Sequence, residues 1–150
     1  MATSADARRC THVPTRDREP ILRGDAREIS LLVVRENLSL THASRAAGEH
    51  VAGAHVHEHS EAFYVLAGEL TFRIGAEQET VTAGTGALVA VPPGVVHSYD
   101  TAGDQPACWL VIHAPDGGFA AAMRGLRDNV QVDWDIVPVP TDGGTVLIVC

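Results

Sequence analysis

A chain of 150 residues with 45 % apolar side chains can bury a core as one domain and gives no reason to divide it into two. Its formal charge of −8 and its eleven scattered arginines argue against a nucleic-acid partner, because phosphate binding relies on clustered cations. Lysine is absent, which excludes Schiff-base chemistry and lysine-based phosphate cradles.

Residues 1–18 mix small, charged and proline positions without a period and read as a flexible N-terminal arm. Arg8, Arg9, Arg16 and Arg18 occur there without an apolar leader. No apolar run approaches the roughly 20 residues needed to span a bilayer. The expectation is a soluble, cytoplasmic protein with no membrane partner. Cys10, Cys108 and Cys150 are odd in number and widely spaced, which fits neither a disulfide framework nor a cysteine-based zinc site. Cys108 lies in an apolar run and reads as a small buried hydrophobe.

From Ile21 onward, short apolar or alternating runs are separated by Gly, Pro and Asp at intervals of about 8 to 12 residues, the pattern of an all-β domain. Strands are predicted over 28–35, 38–46, 51–57, 62–66, 69–74, 78–82, 87–91, 96–99 and 108–113. A hairpin is expected at Ala67-Gly68, with the glycine supplying positive φ. Phe119, Ala122, Met123 and Leu126 fall at helical spacing, so one helix is predicted over 118–128. The tail from Val130 contains Trp134, Ile136 and the apolar run 145–149. It is free to return as an edge strand, cover the mouth of a barrel or serve a dimer partner. The resulting division is an arm at 1–18, a barrel at 19–115 and a helix with its tail at 116–150. Many short antiparallel strands are best closed as a barrel or a double-sheet jelly roll.

The chemistry concentrates in two segments. In His55-Val56-His57-Glu58-His59-Ser60-Glu61, residues two apart on a strand share a face, so His55 and His57 point together while Val56 points away. A turn through Glu58, His59 and Ser60 starts the next strand at Glu61, whose carboxylate can join them. In the second segment, Pro92 and Pro93 stop a strand, Gly94 permits a reversal, and His97 opens the returning strand. His97 thereby becomes a fourth candidate ligand. His59 is the nearest rival and reads as a rim residue. His12, His42, His50 and His113 have no partner spacing and default to surface or hydrogen-bonded core positions. Tyr99 shares a strand face with His97, which places its phenol either in the cavity as an acid or donor or in the packed core.

These segments resemble the two motifs of the cupin family, Gly-x5-His-x-His-x3-4-Glu-x6-Gly and Gly-x5-Pro-x-Gly-x2-His-x3-Asn. His55, His57, Glu61 and Gly68 match the first, and Gly86, Pro92, Gly94 and His97 match the second. The leading glycine falls one place early, at Gly48, and Thr101 stands where the closing Asn is expected. The resemblance implies a double-stranded β-helix, a jelly-roll barrel with a short C-terminal helix and tail, holding one divalent metal ion on His55, His57, Glu61 and His97. Three imidazoles and a carboxylate suit Fe, Mn, Ni, Co or Zn and leave coordination positions open.

The expected function is a metal-dependent enzyme acting on a small phenolic, enolic or polyketide-like substrate, with a dioxygenase as the first reading and Glu61 and Tyr99 as catalytic candidates. The alternatives are a redox-neutral cyclase, isomerase or dehydratase using the metal as a Lewis acid, and a small-ligand-binding module. A homodimer is the default assembly, since it is common in general and in the family.

Overall fold

The computed structural model describes residues 11–139. Cys10, Cys150 and the run 145–149 lie outside the described residues. After a single 3-10 turn at Thr15–Asp17, the chain forms β1 (Glu19–Gly24), β2 (Arg27–Arg35), β3 (Leu38–Arg45), β4 (His50–Val56) and β5 (Ser60–Ala67). Then come β6 (Glu69–Ile74), β7 (Glu79–Gly84), β8 (Leu88–Val91), β9 (His97–Ala102) and β10 (Ala107–Ala114). The helix α1 (Phe119–Asp128) and a two-residue strand β11 (Val137–Pro138) complete the order.

The strands make two antiparallel sheets, β1-β2-β3-β10-β5-β8 and β11-β4-β9-β6-β7. Their facing sides bury Phe63, Val65, Leu70, Phe72, Val91 and Trp109 in one core. The alternation is plainest in β3 and β10. Ser39, Thr41, Ala43 and Arg45 face inward across from Ala107, Trp109, Val111 and His113, while the intervening residues are partly open to solvent. This is the jelly roll expected from the sequence, with α1 as its one α-helix among the described residues.

Two expectations need correction. β5 and β6 are not a hairpin: β5 pairs with β10 and β8, and β6 pairs with β7 and β9, so Ala67-Gly68 is a crossover between sheets. Gly68 still needs its φ of 73°, and a Cβ there would lie 2.5 Å from the Pro106 carbonyl oxygen. Cys108 is half-buried rather than core, because it sits on the outward side of β10, its Sγ 3.0 Å from His42 Nε2. Burial raises the Cys108 thiol pKa.

The helix is started by Asp116, whose carboxylate accepts from the backbone N–H groups of Gly118 and Ala120 at 3.2 and 3.1 Å. It ends at Asn129 in the left-handed region. Its apolar face, Phe119, Ala120 and Met123, packs on Ile21, Ile29 and Leu31 from β1 and β2. Arg124 adds a bidentate pair to Glu19, 2.8 Å in each arm, which lowers the Glu19 pKa. From there the chain runs back over one end of the roll. Val137 and Pro138 pair with Val56 and His55 on the edge of β4, so the described part of the tail returns as an edge strand. Among the described residues no helix is long and apolar enough to cross a membrane.

Candidate metal centre

Strand geometry delivers the four predicted ligands to one place. His55 is the penultimate residue of β4 and faces His97, the first residue of β9, across the ladder. His57 follows just past the end of β4, where its carbonyl accepts from the Gly94 N–H at 2.8 Å. The Pro92-Pro93-Gly94 turn thus pins one histidine with its main chain and launches another with its exit strand. Glu61, second residue of β5, enters from the opposite sheet. One ligand atom from each of the four lies within 4.8 Å of every other, and all four side chains are buried, from 0 % exposed at His97 to 6 % at Glu61.

Each imidazole is oriented by its own backbone neighbourhood. His55 Nδ1 lies 2.7 Å from the Gly53 carbonyl oxygen, His57 Nδ1 2.9 Å from that of His59, and His97 Nδ1 2.9 Å from that of Val95. A carbonyl only accepts, so each Nδ1 carries a proton and each Nε2 is the inward atom. Glu61 Oε2 sits 2.8 Å from both His57 Nε2 and His97 Nε2. In the neutral imidazoles these nitrogens are lone pairs facing an anionic oxygen, an arrangement that a shared cation relieves. Three neutral nitrogens and one carboxylate, all buried, therefore fit a divalent transition metal.

The electrostatics agree. Burial works against a charged Glu61, but the imidazoles of His57 and His97 beside its oxygen outweigh it and hold the carboxyl well below its usual range. Burial also works against a charged His57, yet Glu61 beside it leaves that imidazole's pKa raised. His55, with burial dominating, is pushed down to about 4.

His59 is not a rim residue. The chain turns after β4, and the imidazole is folded inward, 2 % exposed, stacked on His57 at 4.0 Å between ring centres. Its Nδ1 donates to Asp135 Oδ2 at 3.0 Å and its Nε2 lies 2.8 Å from His113 Nδ1. His113, assigned no role from the sequence, is buried opposite Glu61 in the β5–β10 register, with its Nε2 3.5 Å from Glu61 Oε1. Burial lowers it to about 4. A line of contacts thus runs Asp135, His59, His113, Glu61, from the covering segment to the metal cluster. Asp135 also accepts the Glu58 N–H at 3.0 Å, and the bond to His59 lowers its carboxyl pKa. His42 and His50 sit away from the cluster; His50 pairs with Asp100 at 2.6 Å.

Beside the ligands lies a cavity lined by His55 and Glu61 at one side and by Tyr99, Trp109, Val111 and Trp134 among its walls. Tyr99 packs in the core on Phe63 and Phe72, with ring centres 4.8 and 5.4 Å away, and its residue also lines this cavity. The two motif departures are also accounted for. Thr101 Oγ1 accepts the Glu49 N–H at 2.7 Å and donates to the Ala46 carbonyl at 2.7 Å, closing the turn in which Gly48 holds φ of 67°.

A two-sheet antiparallel roll with three histidines and a glutamate gathered between its sheets defines the class of protein. Residues 42–113 match the family model described as Cupin domain, and the fold is that of a cupin. No curated protein matches the chain. Among solved structures, KdgF from Halomonas sp. is similar with 14 % identity and a TM-score of 0.61, over 71 % of this chain and 94 % of that one. The polyketide cyclase RemF from Streptomyces resistomycificus has 21 % identity and a TM-score of 0.58, over 71 % and 80 %. The Streptomyces nucleoside dehydratase Pac13 has 17 % identity and a TM-score of 0.56, over 71 % and 83 %. At these identities the likeness is one of fold.

Proposed function

We propose that this cupin is a metal-dependent enzyme that rearranges a small, apolar-bodied organic molecule without net oxidation, by cyclisation, dehydration or isomerisation. The observation that carries the reading is the buried His55, His57, Glu61 and His97 cluster beside a largely apolar cavity that His55 and Glu61 line. A divalent ion held by these four residues supplies Lewis acidity, polarising a substrate oxygen and lowering the pKa of a neighbouring proton. We assign the receipt of that proton to Glu61, whose second oxygen, Oε1, lies on the side of His113. Tyr99 is the donor on the cavity wall that can return a proton to the substrate. The aromatic walls exclude water, which strengthens each of these contacts.

The sequence-based preference for an oxygen-using enzyme gains no support from the structural neighbours, which include a cyclase and a dehydratase. Zn(II) then suffices as the metal. The test is turnover of a panel of phenolic ketones and polyketones by protein loaded separately with Zn(II), Mn(II), Ni(II), Co(II) and Fe(II), in air and under nitrogen. The expected result is equal product with and without oxygen, and activity with Zn(II). Product formed only in air and only with a redox-active ion would instead make the protein a dioxygenase.

A further inference from the structure

Six buried side-chain polar atoms among the described residues have no hydrogen-bond partner, and two of them, Thr41 Oγ1 and Trp109 Nε1, belong to residues of the cavity wall. Both side chains are buried, at 1 % and 0 % exposed. A buried donor left unmade costs about 1–3 kcal/mol, so two such groups on one wall of a cavity that also touches His55 and Glu61 point to a ligand that meets them.

The register places them. Thr41 is opposite Val111, one inward-facing row from the row that holds Glu61 and His113, and Trp109 is one row further on. Each row is roughly 7 Å along the strand. The indole N–H can only donate, the Thr41 hydroxyl can do either, and the neighbouring cavity residue Arg45 carries only donors. The rest of that wall is apolar, including Ala43, Val51 and Val111.

We infer that the substrate carries two oxygens separated by an apolar, ring-sized spacer: one facing the metal cluster, and a second, a carbonyl or carboxylate oxygen, accepting hydrogen bonds from Trp109 Nε1 and Thr41 Oγ1. This rests on the proposed function only in taking the same cavity as the substrate site. The acceptor end sets specificity, and Thr41 and Trp109 are its specificity-determining residues.

The probe for this is para-hydroxyacetophenone, whose two oxygens lie about one row apart, compared with para-isopropylphenol, which has the same shape but no acceptor. Calorimetric titration of the Zn(II)-loaded full chain is expected to show the ketone binding at least about tenfold tighter, a gap of about 1.4 kcal/mol. In Thr41→Val together with Trp109→Phe the gap should shrink to within about threefold, in a variant whose cooperative unfolding transition shows that it remains folded. A third probe, para-hydroxybenzoate, separates the sources of the acceptor: tighter binding than the ketone assigns a carboxylate beside Arg45, and weaker binding assigns a neutral carbonyl. Equal binding of ketone and isopropyl compound, a gap that survives in the double variant, or no binding of either probe would each overturn the inference. Repeating the pair with His97→Ala distinguishes the two readings: a gap that persists there leaves the acceptor wall standing even where the metal-dependent function fails.

Discussion

His113 stands across the β5–β10 ladder from Glu61, its Nε2 3.5 Å from the carboxylate Oε1, although neither residue's neighbours in sequence suggest the pairing. The imidazole lies beside the ligand, outside the four-residue cluster. Groups in this relation to a metal ligand commonly change affinity or activity by about 10- to 100-fold. His113→Ala is therefore expected to weaken Zn(II) binding by about tenfold in a chelator-competition titration while the protein remains folded. An unchanged affinity would remove His113 from any supporting role.

His59 reaches the same carboxylate only through His113, and it holds the covering segment through Asp135. His59→Ala removes one buried and one part-buried hydrogen bond and leaves a cavity beside His57 and Trp134. Stability should fall by about 2 kcal/mol or more, with faster amide exchange over 134–138. Asp135→Asn, which keeps the shape, should reproduce the faster exchange with a smaller loss of stability. Unaltered exchange in both variants would mean that this contact does not fasten the segment.

Acid should weaken the metal-free protein in a defined window. His55 and His113 are pushed from 6.5 to about 4 by burial, so between those values the unfolded chain binds protons that the folded chain refuses. Their stabilising contribution is complete above pH 6.5, decreases as the pH falls toward 4, and stops changing below it. His57 has the opposite shift: its contribution is complete below pH 6.5 and declines as the pH rises above it, so the loss below pH 6.5 belongs to His55 and His113. Urea unfolding of chelator-stripped protein at pH 7, 5.5 and 4 should give successively lower stability. A flat or rising series would contradict the burial of these two imidazoles as neutral groups.

Gly68 tests the crossover between the sheets. Its positive φ, and the 2.5 Å that would separate an added methyl carbon from the Pro106 oxygen, leave no place for a side chain. Gly68→Ala should cost about 2 kcal/mol or more, read as a lowered unfolding midpoint. A neutral substitution would show that Ala67 and Gly68 can be redrawn as an ordinary turn.

The part of the site that was legible in the sequence is the part governed by strand alternation and turn chemistry. His55 and His57 share a face across Val56, and Pro92-Pro93-Gly94 announces the reversal that presents His97. Alternation ceases where β4 ends, so the direction of His59 could not be read and the rim assignment failed. His113 escaped for a different reason: its importance comes from the pairing of β10 with β5, and no local pattern specifies which distant strand lies beside it. The same limit explains Gly68, because a hairpin and a crossover both call for positive φ at that position. Trp134 and Asp135 belong to a segment whose three possible destinations were left open by composition alone. Within the described residues, 137–138 pair with the edge of β4 and Asp135 meets the imidazole of His59.

Metal content of the protein purified without added metal, set beside the same measurement on His97→Ala, tests the central claim most directly. The account predicts about one divalent transition ion per chain, and a loss of at least about 100-fold in retention for the variant, since one of four ligands is removed. A chain that binds no such ion, or a His97→Ala variant that holds it as tightly as before, would contradict the assignment of His55, His57, Glu61 and His97 as a metal centre.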